Sequence, residues 1–124
     1  MKSWTRDELS KLAAAEEIAI APLGRDGRPR KPVTVWIVRL GDDLYVRSAY
    51  GPDSGWFRGA RRRGEGRIRA GEMAKEVSFV EADPELTDAI DAAYRAKYRS
   101  QGAQYVNMMV SSKARSAALK VLPR

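Results

Sequence analysis

The residues best suited to chemistry lie around one connection between a strand and a helix. Ser48 offers a hydroxyl, Tyr50 a phenol, Trp56 an indole and Arg58 a guanidinium. Together these groups could hold a phosphate with a flat aromatic ring beside it, because hydroxyl and guanidinium groups donate to phosphate oxygens. The alternative is an ordinary strand-to-helix connection whose arginines are solvated.

The elements that position these side chains follow from the surrounding sequence. We predict a strand over residues 44–48, a glycine-bearing loop over 50–55 and a short basic helix over 56–63. The free N–H groups of such a loop and the positive end of the helix dipole point the same way, which favours an anion. The stretch therefore predicts a cradle for a phosphate-bearing cofactor.

The residue inventory argues against several classes of enzyme. The chain contains neither Cys nor His, so it lacks thiolate nucleophiles, disulfides and the commonest metal ligands. This argues against a triad hydrolase and a zinc enzyme, and an enzyme with this inventory would take its chemistry from an organic cofactor. The formal net charge of +7 favours anionic partners, namely nucleic acid, phosphate-bearing cofactors or acidic metabolites.

Length and composition indicate one globular domain. The 124 residues suit a modest core, and 44% hydrophobic with 31% charged residues is typical of a folded chain. No apolar run is long enough to cross a bilayer, and the N-terminus carries acids without an apolar signal core. We therefore expect a cytoplasmic protein.

Hydrophobic periodicity and turn residues predict the element order α-β-β-β-α-β-β-α-α-β. Thr5 with Glu8 forms a capping box for the first helix, and Asp83 with Pro84 begins a later one. Strands are predicted over residues 17–23, 31–40, 44–48, 66–70, 73–82 and 119–122. Because an open sheet would leave edges exposed, we predict an α+β fold. It is a small six-stranded, mostly antiparallel split β-barrel with flanking helices, forming a single domain over residues 1–124.

Two other groups of residues leave alternatives open. Arg58 could grip a phosphate together with Arg61 or Arg62, which lie three and four positions further along the helix. The same arginines could instead form a solvated helix face or contact nucleic acid. Tyr105 and the methionines at 108 and 109 either line a pocket or belong to the core, before a short helix over residues 113–118.

Two long segments of the sequence resemble a known family. PVTVWIVRLGDDLYVRSAYGPDSGWFRGARRRGEGRIRAG and DAAYRAKYRSQGAQYVNMMVSSKARSAALKVLPR are similar to the bacterial domain of unknown function 2255. That family in turn resembles a branch of the FMN-binding split-barrel superfamily. The superfamily includes pyridoxamine phosphate oxidases, flavin reductases and deazaflavin-dependent nitroreductases.

The resemblance implies a set of cofactor-binding residues. A strand with Pro32, a strand ending in Ser48 and a basic helix match the superfamily pattern. Ser48 and the following loop would contact the cofactor phosphate, Arg58 stands where a phosphate-binding base often lies, and other residues would back the ring. The full set implied is Thr34, Trp36, Ser48, Ala49, Tyr50, Gly51, Trp56 and Arg58.

The resemblance also bears on which cofactor is bound. Flavin-binding members often carry a Lys where this chain has Trp56, and a Trp at that position is closer to the deazaflavin branch. The implied function is a redox protein that binds FMN or the deazaflavin coenzyme F-420 between the subunits of a homodimer. The alternatives are a basic nucleic-acid-binding module, for which no recognition signature is present, and a cofactor-free ligand-binding barrel.

Overall fold

A computed structural model describes residues 3–124 of the chain. The α-helices are Arg6–Ala14 (α1), Gly55–Arg63 (α2), Thr87–Tyr98 (α3), Ala103–Met109 (α4) and Ser112–Arg115 (α5). The strands are Ile18–Pro22 (β1), Val33–Val35 (β2), Ile37–Leu40 (β3), Asp43–Arg47 (β4), Glu65–Ala70 (β5), Met73–Glu81 (β6) and Ala118–Pro123 (β7). Within this described range, no helix is both long and apolar enough to cross a membrane.

The seven strands form one antiparallel sheet that nearly closes on itself. Its order is β2-β1-β5-β6-β7-β4-β3, so the two edges are β2 and β3. These two strands are consecutive in the chain and are separated by Trp36 alone. The fold is therefore an α+β split barrel, which confirms the prediction, with seven strands where the sequence predicted six.

The extra strand arises because the predicted strand over residues 31–40 changes partner at Trp36. Before this residue the chain pairs with β1, and after it with β4. Tyrosine hydroxyls of α3 supply the hydrogen bonds there. The Tyr94 hydroxyl donates to the Trp36 carbonyl oxygen at 3.4 Å, and the Ile37 N–H donates to the Tyr98 hydroxyl oxygen at 3.2 Å. The kink is therefore built by a distant helix, which local sequence patterns do not reveal.

Two apolar clusters lie on opposite faces of the sheet. The interior of the barrel is filled by side chains such as Ile20, Leu44 and Phe79. The outer face of β3 and β4 packs against α3 and α4, where Tyr94 and Tyr98 are buried. Both faces of β4 are therefore covered, whereas Val33 and Thr34 of the edge strand β2 are exposed.

One close approach between strands requires glycine. Gly66 of β5 is paired with Pro22 of β1. A Cβ atom at Gly66 would lie 2.7 Å from the Ala21 carbonyl oxygen and 2.7 Å from Cε2 of Phe79. Real side chains do not tolerate such distances, so this position fixes how closely β1 crosses β5.

Helix boundaries agree with the predicted caps at the N-terminal side and differ near the C-terminus. The capping box of Thr5 and Glu8 is present, and the Asp83 side chain accepts from the backbone N–H of Glu85. The apolar segment over residues 105–109 lies within helix α4, which follows Gly102. The short helix predicted over residues 113–118 ends earlier, because the chain enters β7 at residue 118.

Lys97 of α3 ties this helix to the barrel seam. Its Nζ donates to the Ile37 carbonyl oxygen at 2.6 Å and lies 3.4 Å from the Leu12 carbonyl oxygen. It also lies 5.1 Å from the centre of the Tyr98 ring. Burial lowers the pKa of Lys97 from 10.5 to about 8, because the charged form loses solvation.

This shift predicts a pH dependence of stability. Between pH 8 and 10.5 the folded protein binds fewer protons at Lys97 than the unfolded chain, so raising pH through this window favours folding. Relative to a Lys97→Met variant, the wild type should gain free energy of unfolding as pH rises. Denaturant unfolding of both proteins below and inside the window measures the difference. Parallel pH curves would contradict the assignment.

Candidate functional site

A cavity of about 390 Å³ opens beside the kink at Trp36. It is bounded by strand β2, by the connection from β4 to α2, and by helix α4. The cavity is largely apolar, and its size lies in the range of small-molecule sites. Its lining residues are Val33, Thr34, Val35, Trp36, Arg47, Ala49, Tyr50, Ser54, Trp56, Tyr105, Met108 and Met109.

Two indole rings line the cavity, and each is held by another aromatic ring. Trp36 stacks on Tyr98 with ring centres 3.9 Å apart and planes 1° apart. Trp56 meets Phe57 edge-on, at 5.8 Å and 83°. Since a ring fixed by a neighbour loses little freedom when a ligand binds, both indoles are prepared for contact with a flat molecule.

The loop after β4 is drawn inward at Ser48. This residue is buried, its backbone N–H donates to the Ala117 carbonyl oxygen at 3.0 Å, and its hydroxyl lies 2.7 Å from that of Ser54. Gly51 has a φ of +89°, and a Cβ there would lie 3.2 Å from Cβ of Lys113. Gly51 therefore serves both the turn and the packing of the loop against α5.

The N-terminus of α2 lies beside the cavity, and no side chain caps its backbone N–H groups. Ser54 is the N-cap residue, but its side chain makes no cap hydrogen bond. The first turn contains no acidic residue, and the basic run Arg61–Arg63 lies in the last turn. The positive end of the helix dipole is therefore not neutralised by its own helix.

The structure brings most of the predicted site residues to one cavity and places the others around it. Ser48 and Gly51 are buried in the loop between β4 and α2 and do not line the cavity, and Arg58 is exposed on α2. Of the arginines predicted to join Arg58, Arg61 instead lies 3.6 Å from a carboxylate oxygen of Glu81. The predicted residues that line the cavity are Thr34, Trp36, Ala49, Tyr50 and Trp56.

Sequence reasoning missed one charged residue at this site and left others undecided. Arg47 lines the cavity although its side chain is fully buried. A signal was available, because Arg47 follows the apolar run of residues 44–46 in a predicted strand, and a charge buried in a strand must be paired. Tyr105, Met108 and Met109 were left between pocket and core, and all three line the cavity.

Arg47 belongs to a buried ion network beneath the cavity. Its Nη1 donates to Oδ1 of Asp91 and to the Met109 carbonyl oxygen at 2.9 Å. Asp91 also lies 3.1 Å from Nε of Arg115. The guanidinium of Arg47 lies 5.6 Å from the centre of the Tyr94 ring. Burial raises the pKa of the Tyr94 phenol far above its ordinary value, so Tyr94 stays a neutral donor.

The arrangement suits binding and orienting a flat conjugated molecule. The walls are aromatic and aliphatic, the floor carries a paired cation, and one side ends at an uncapped helix N-terminus. Among residues 3–124, no group of three or more acidic, Cys or His side chains is placed to hold a metal ion.

The sheet seam and the flanking helices place this molecule in the class of split-barrel proteins. The chain belongs to the family described as "Uncharacterized protein conserved in bacteria (DUF2255)", whose model matches residues 8–121. This confirms the family to which the sequence was similar. No curated protein matches the sequence.

Solved structures share the fold at low sequence identity. The conserved hypothetical protein Rv2991 from Mycobacterium tuberculosis is 15% identical, with a TM-score of 0.69 over 98% of this chain and 81% of that one. An F-420 reductase is 15% identical, with a TM-score of 0.53 over 93% and 90%. The FAD- and heme-binding protein from Mycobacterium smegmatis is 16% identical, with a TM-score of 0.55 over 97% and 65%. At these identities the likeness shows the fold.

Proposed function

We propose that this protein is an oxidoreductase-like protein that binds a flavin or deazaflavin nucleotide in the cavity beside Trp36. The observation that carries the proposal is an apolar cleft of about 390 Å³ lined by two fixed indole rings, Trp36 and Trp56. Such walls suit a flat conjugated ring and offer little to a flexible polar substrate.

The residues present fit such a group at both of its ends. Thr34, Trp36 and Trp56 line the part of the cavity that suits the ring. The uncapped N-terminus of α2 and the exposed guanidinium of Arg58 offer donors and positive potential for the phosphate. Ser48 would act by holding the Ser54 hydroxyl, since these two oxygens are 2.7 Å apart.

The protein's part in the chemistry is binding and protection. A bound nucleotide of this type supplies a ring that accepts and donates hydride or electrons, which no side chain of this chain does. The aromatic walls fix the orientation of the ring and exclude water from one face. The buried, paired charge of Arg47 supplies a polar group on the floor without bringing in solvent.

The named ligands of the structural neighbours support this choice. One neighbour is an F-420 reductase and another binds FAD and heme, and all three ligands contain a flat conjugated ring. Heme is the less suitable of these for this chain, because the chain has no His or Cys to ligate the iron and could offer only Met or Tyr.

Tryptophan fluorescence tests the proposal directly. Titration with FMN and with coenzyme F-420 should quench the emission of Trp36 and Trp56, which line the cavity. A Trp56→Leu variant should bind roughly tenfold or more weakly, because a stacked aromatic contact is lost. The matched control is Trp4→Phe, since Trp4 is buried in the barrel core, does not line the cavity, and donates to the Val121 carbonyl oxygen.

The same titration separates the competing functions. Weakening in Trp56→Leu with no weakening in Trp4→Phe supports the proposal. If neither nucleotide binds, while single-stranded or duplex nucleic acid binds with a steep salt dependence, the protein is a nucleic-acid-binding module. Hemin titrated in parallel, with its absorption band as readout, distinguishes heme from the nucleotides.

A second experiment concerns the phosphate end. Ser48→Ala removes the partner of the Ser54 hydroxyl at the start of α2. We expect this variant, like Arg58→Ala, to weaken FMN several-fold while leaving riboflavin, which has no phosphate, unchanged. Calorimetric titration of both ligands measures the difference. Equal weakening of FMN and riboflavin would remove Ser48 from the phosphate site.

We also propose that a second copy of the chain covers the open mouth of the cavity. Of the five large apolar side chains exposed within residues 3–124, four line this cavity and only Val80 lies elsewhere. The four are Val33, Tyr50, Tyr105 and Met108. A contiguous exposed apolar patch of this kind is typical of an interface.

Charged substitutions at the mouth test the homodimer. Tyr105→Asp and Met108→Asp should shift the mass in solution from dimer towards monomer, because they place an unpaired carboxylate in the apolar contact. Val80→Asp, at an exposed apolar residue away from the cavity, should leave the dimer intact. Sedimentation or light scattering measures the mass. A monomeric wild type, or a dimer insensitive to both mouth variants, would contradict the proposed interface.

A further inference from the structure

Arg47 is the charged residue among the cavity-lining residues that the structure describes. Its side chain is completely buried, and Asp91, its carboxylate partner, is nearly so. Burying a charge is costly unless every polar atom of the group is satisfied. Whether the protein supplies an acceptor for each nitrogen of this guanidinium therefore shows whether a further partner is needed.

Two of the three nitrogens of the guanidinium are satisfied by the protein. Nη1 donates to Asp91 and to the Met109 carbonyl oxygen, and Nη2 donates to the Thr87 carbonyl oxygen at 3.0 Å. Nε has no hydrogen-bond partner, and it is the one buried side-chain nitrogen or oxygen in this state within residues 3–124. A buried donor without an acceptor costs free energy, and such exceptions call for a partner outside the chain.

Arg47 cannot relieve this deficit by turning toward water. Its contacts come from the N-terminal part of α3, through Thr87 and Asp91, and from the last residue of α4, Met109. Asp91 is itself held by Arg115, which lies 3.1 Å away. The guanidinium is thus fixed on strand β4 at the floor of the cavity, and its Nε–H has no acceptor within the protein.

We propose that the floor of the cavity is a subsite for a hydrogen-bond acceptor of the ligand. There Arg47 donates its Nε–H to an oxygen carried on the edge of a flat ring system. The inference rests on the proposed function, because it assigns the cavity to such a ring, and it adds a residue that selects among rings. A ring that bears carbonyl groups completes the hydrogen bonds of Arg47. A ring of the same size without an acceptor leaves Nε unsatisfied and is discriminated against.

The neighbouring chemistry favours a neutral carbonyl over a free anion at this subsite. The charge of Arg47 is already balanced by Asp91, whose second oxygen faces Arg115. The rest of the cavity is lined mostly by apolar side chains. A charged ligand group would therefore lose its solvation without gaining an uncompensated cation, whereas a carbonyl needs only one donor.

A pair of phosphate-free probes isolates this subsite from the phosphate end. Alloxazine and phenazine are both three fused rings, but alloxazine carries two carbonyl groups and phenazine carries none. Their dissociation constants should be measured by tryptophan quenching on the wild type, on Arg47→Lys, and on the double variant Arg47→Met with Asp91→Leu. The double variant removes both charges together, so no unpaired carboxylate is left buried.

The measured quantity is the ratio of the two affinities. The wild type should prefer alloxazine, and both Arg47 variants should reduce the ratio by roughly tenfold, the expected effect of losing a hydrogen bond to a charged group. The affinity for phenazine should stay unchanged. Arg115→Lys is the matched control, since Arg115 shares Asp91 but does not line the cavity, and it should keep the wild-type ratio.

Several outcomes would overturn the inference. An equal loss of both probes in the Arg47 variants would mean that Arg47 only supports the fold. An unchanged ratio would mean that water alone satisfies Nε. Failure of FMN and coenzyme F-420 to bind would remove the proposed function, yet an Arg47-dependent ratio would still establish the subsite, so the two failures can be told apart.

Discussion

The interaction on which this structure depends is the group of hydrogen bonds that tyrosines of α3 make at the seam of the barrel. The chain pairs with β1 before Trp36 and with β4 after it, so one continuous segment forms both edges of the sheet. At the change of partner, Tyr94 and Tyr98 replace the missing ladder bonds. Burial raises the pKa of Tyr98 to about 12, so the hydroxyl remains a donor under ordinary conditions.

The same seam creates the cavity. Because the backbone turns at Trp36, the indole leaves the sheet and stacks on Tyr98, and space opens between β2 and α4. The contacts of the α3 tyrosines at the seam therefore both close the barrel and form one wall of the cavity. The polar parts of the site are the start of α2, at one side of the cavity, and the buried pair of Arg47 and Asp91 at its floor. An apolar cleft that ends at a helix N-terminus suits a ligand with a ring and a charged tail.

The sequence was sufficient for the class of fold, the family and much of the cavity wall. Capping residues such as Thr5 and Asp83 act locally, so their helices could be predicted. The break at Trp36 could not, because it depends on hydroxyls about sixty residues away in α3. Arg47 was missed for a related reason, since its burial depends on a carboxylate of α3 and on carbonyl groups of two helices.

Gly66 sets a geometric limit at one crossing in the barrel. With only a hydrogen as its side chain, β5 comes within contact distance of the β1 backbone and of the Phe79 ring. Any larger residue there would have to displace the β1 backbone or the Phe79 ring. The spacing of these two neighbouring strands therefore leaves no room for even one additional methyl group.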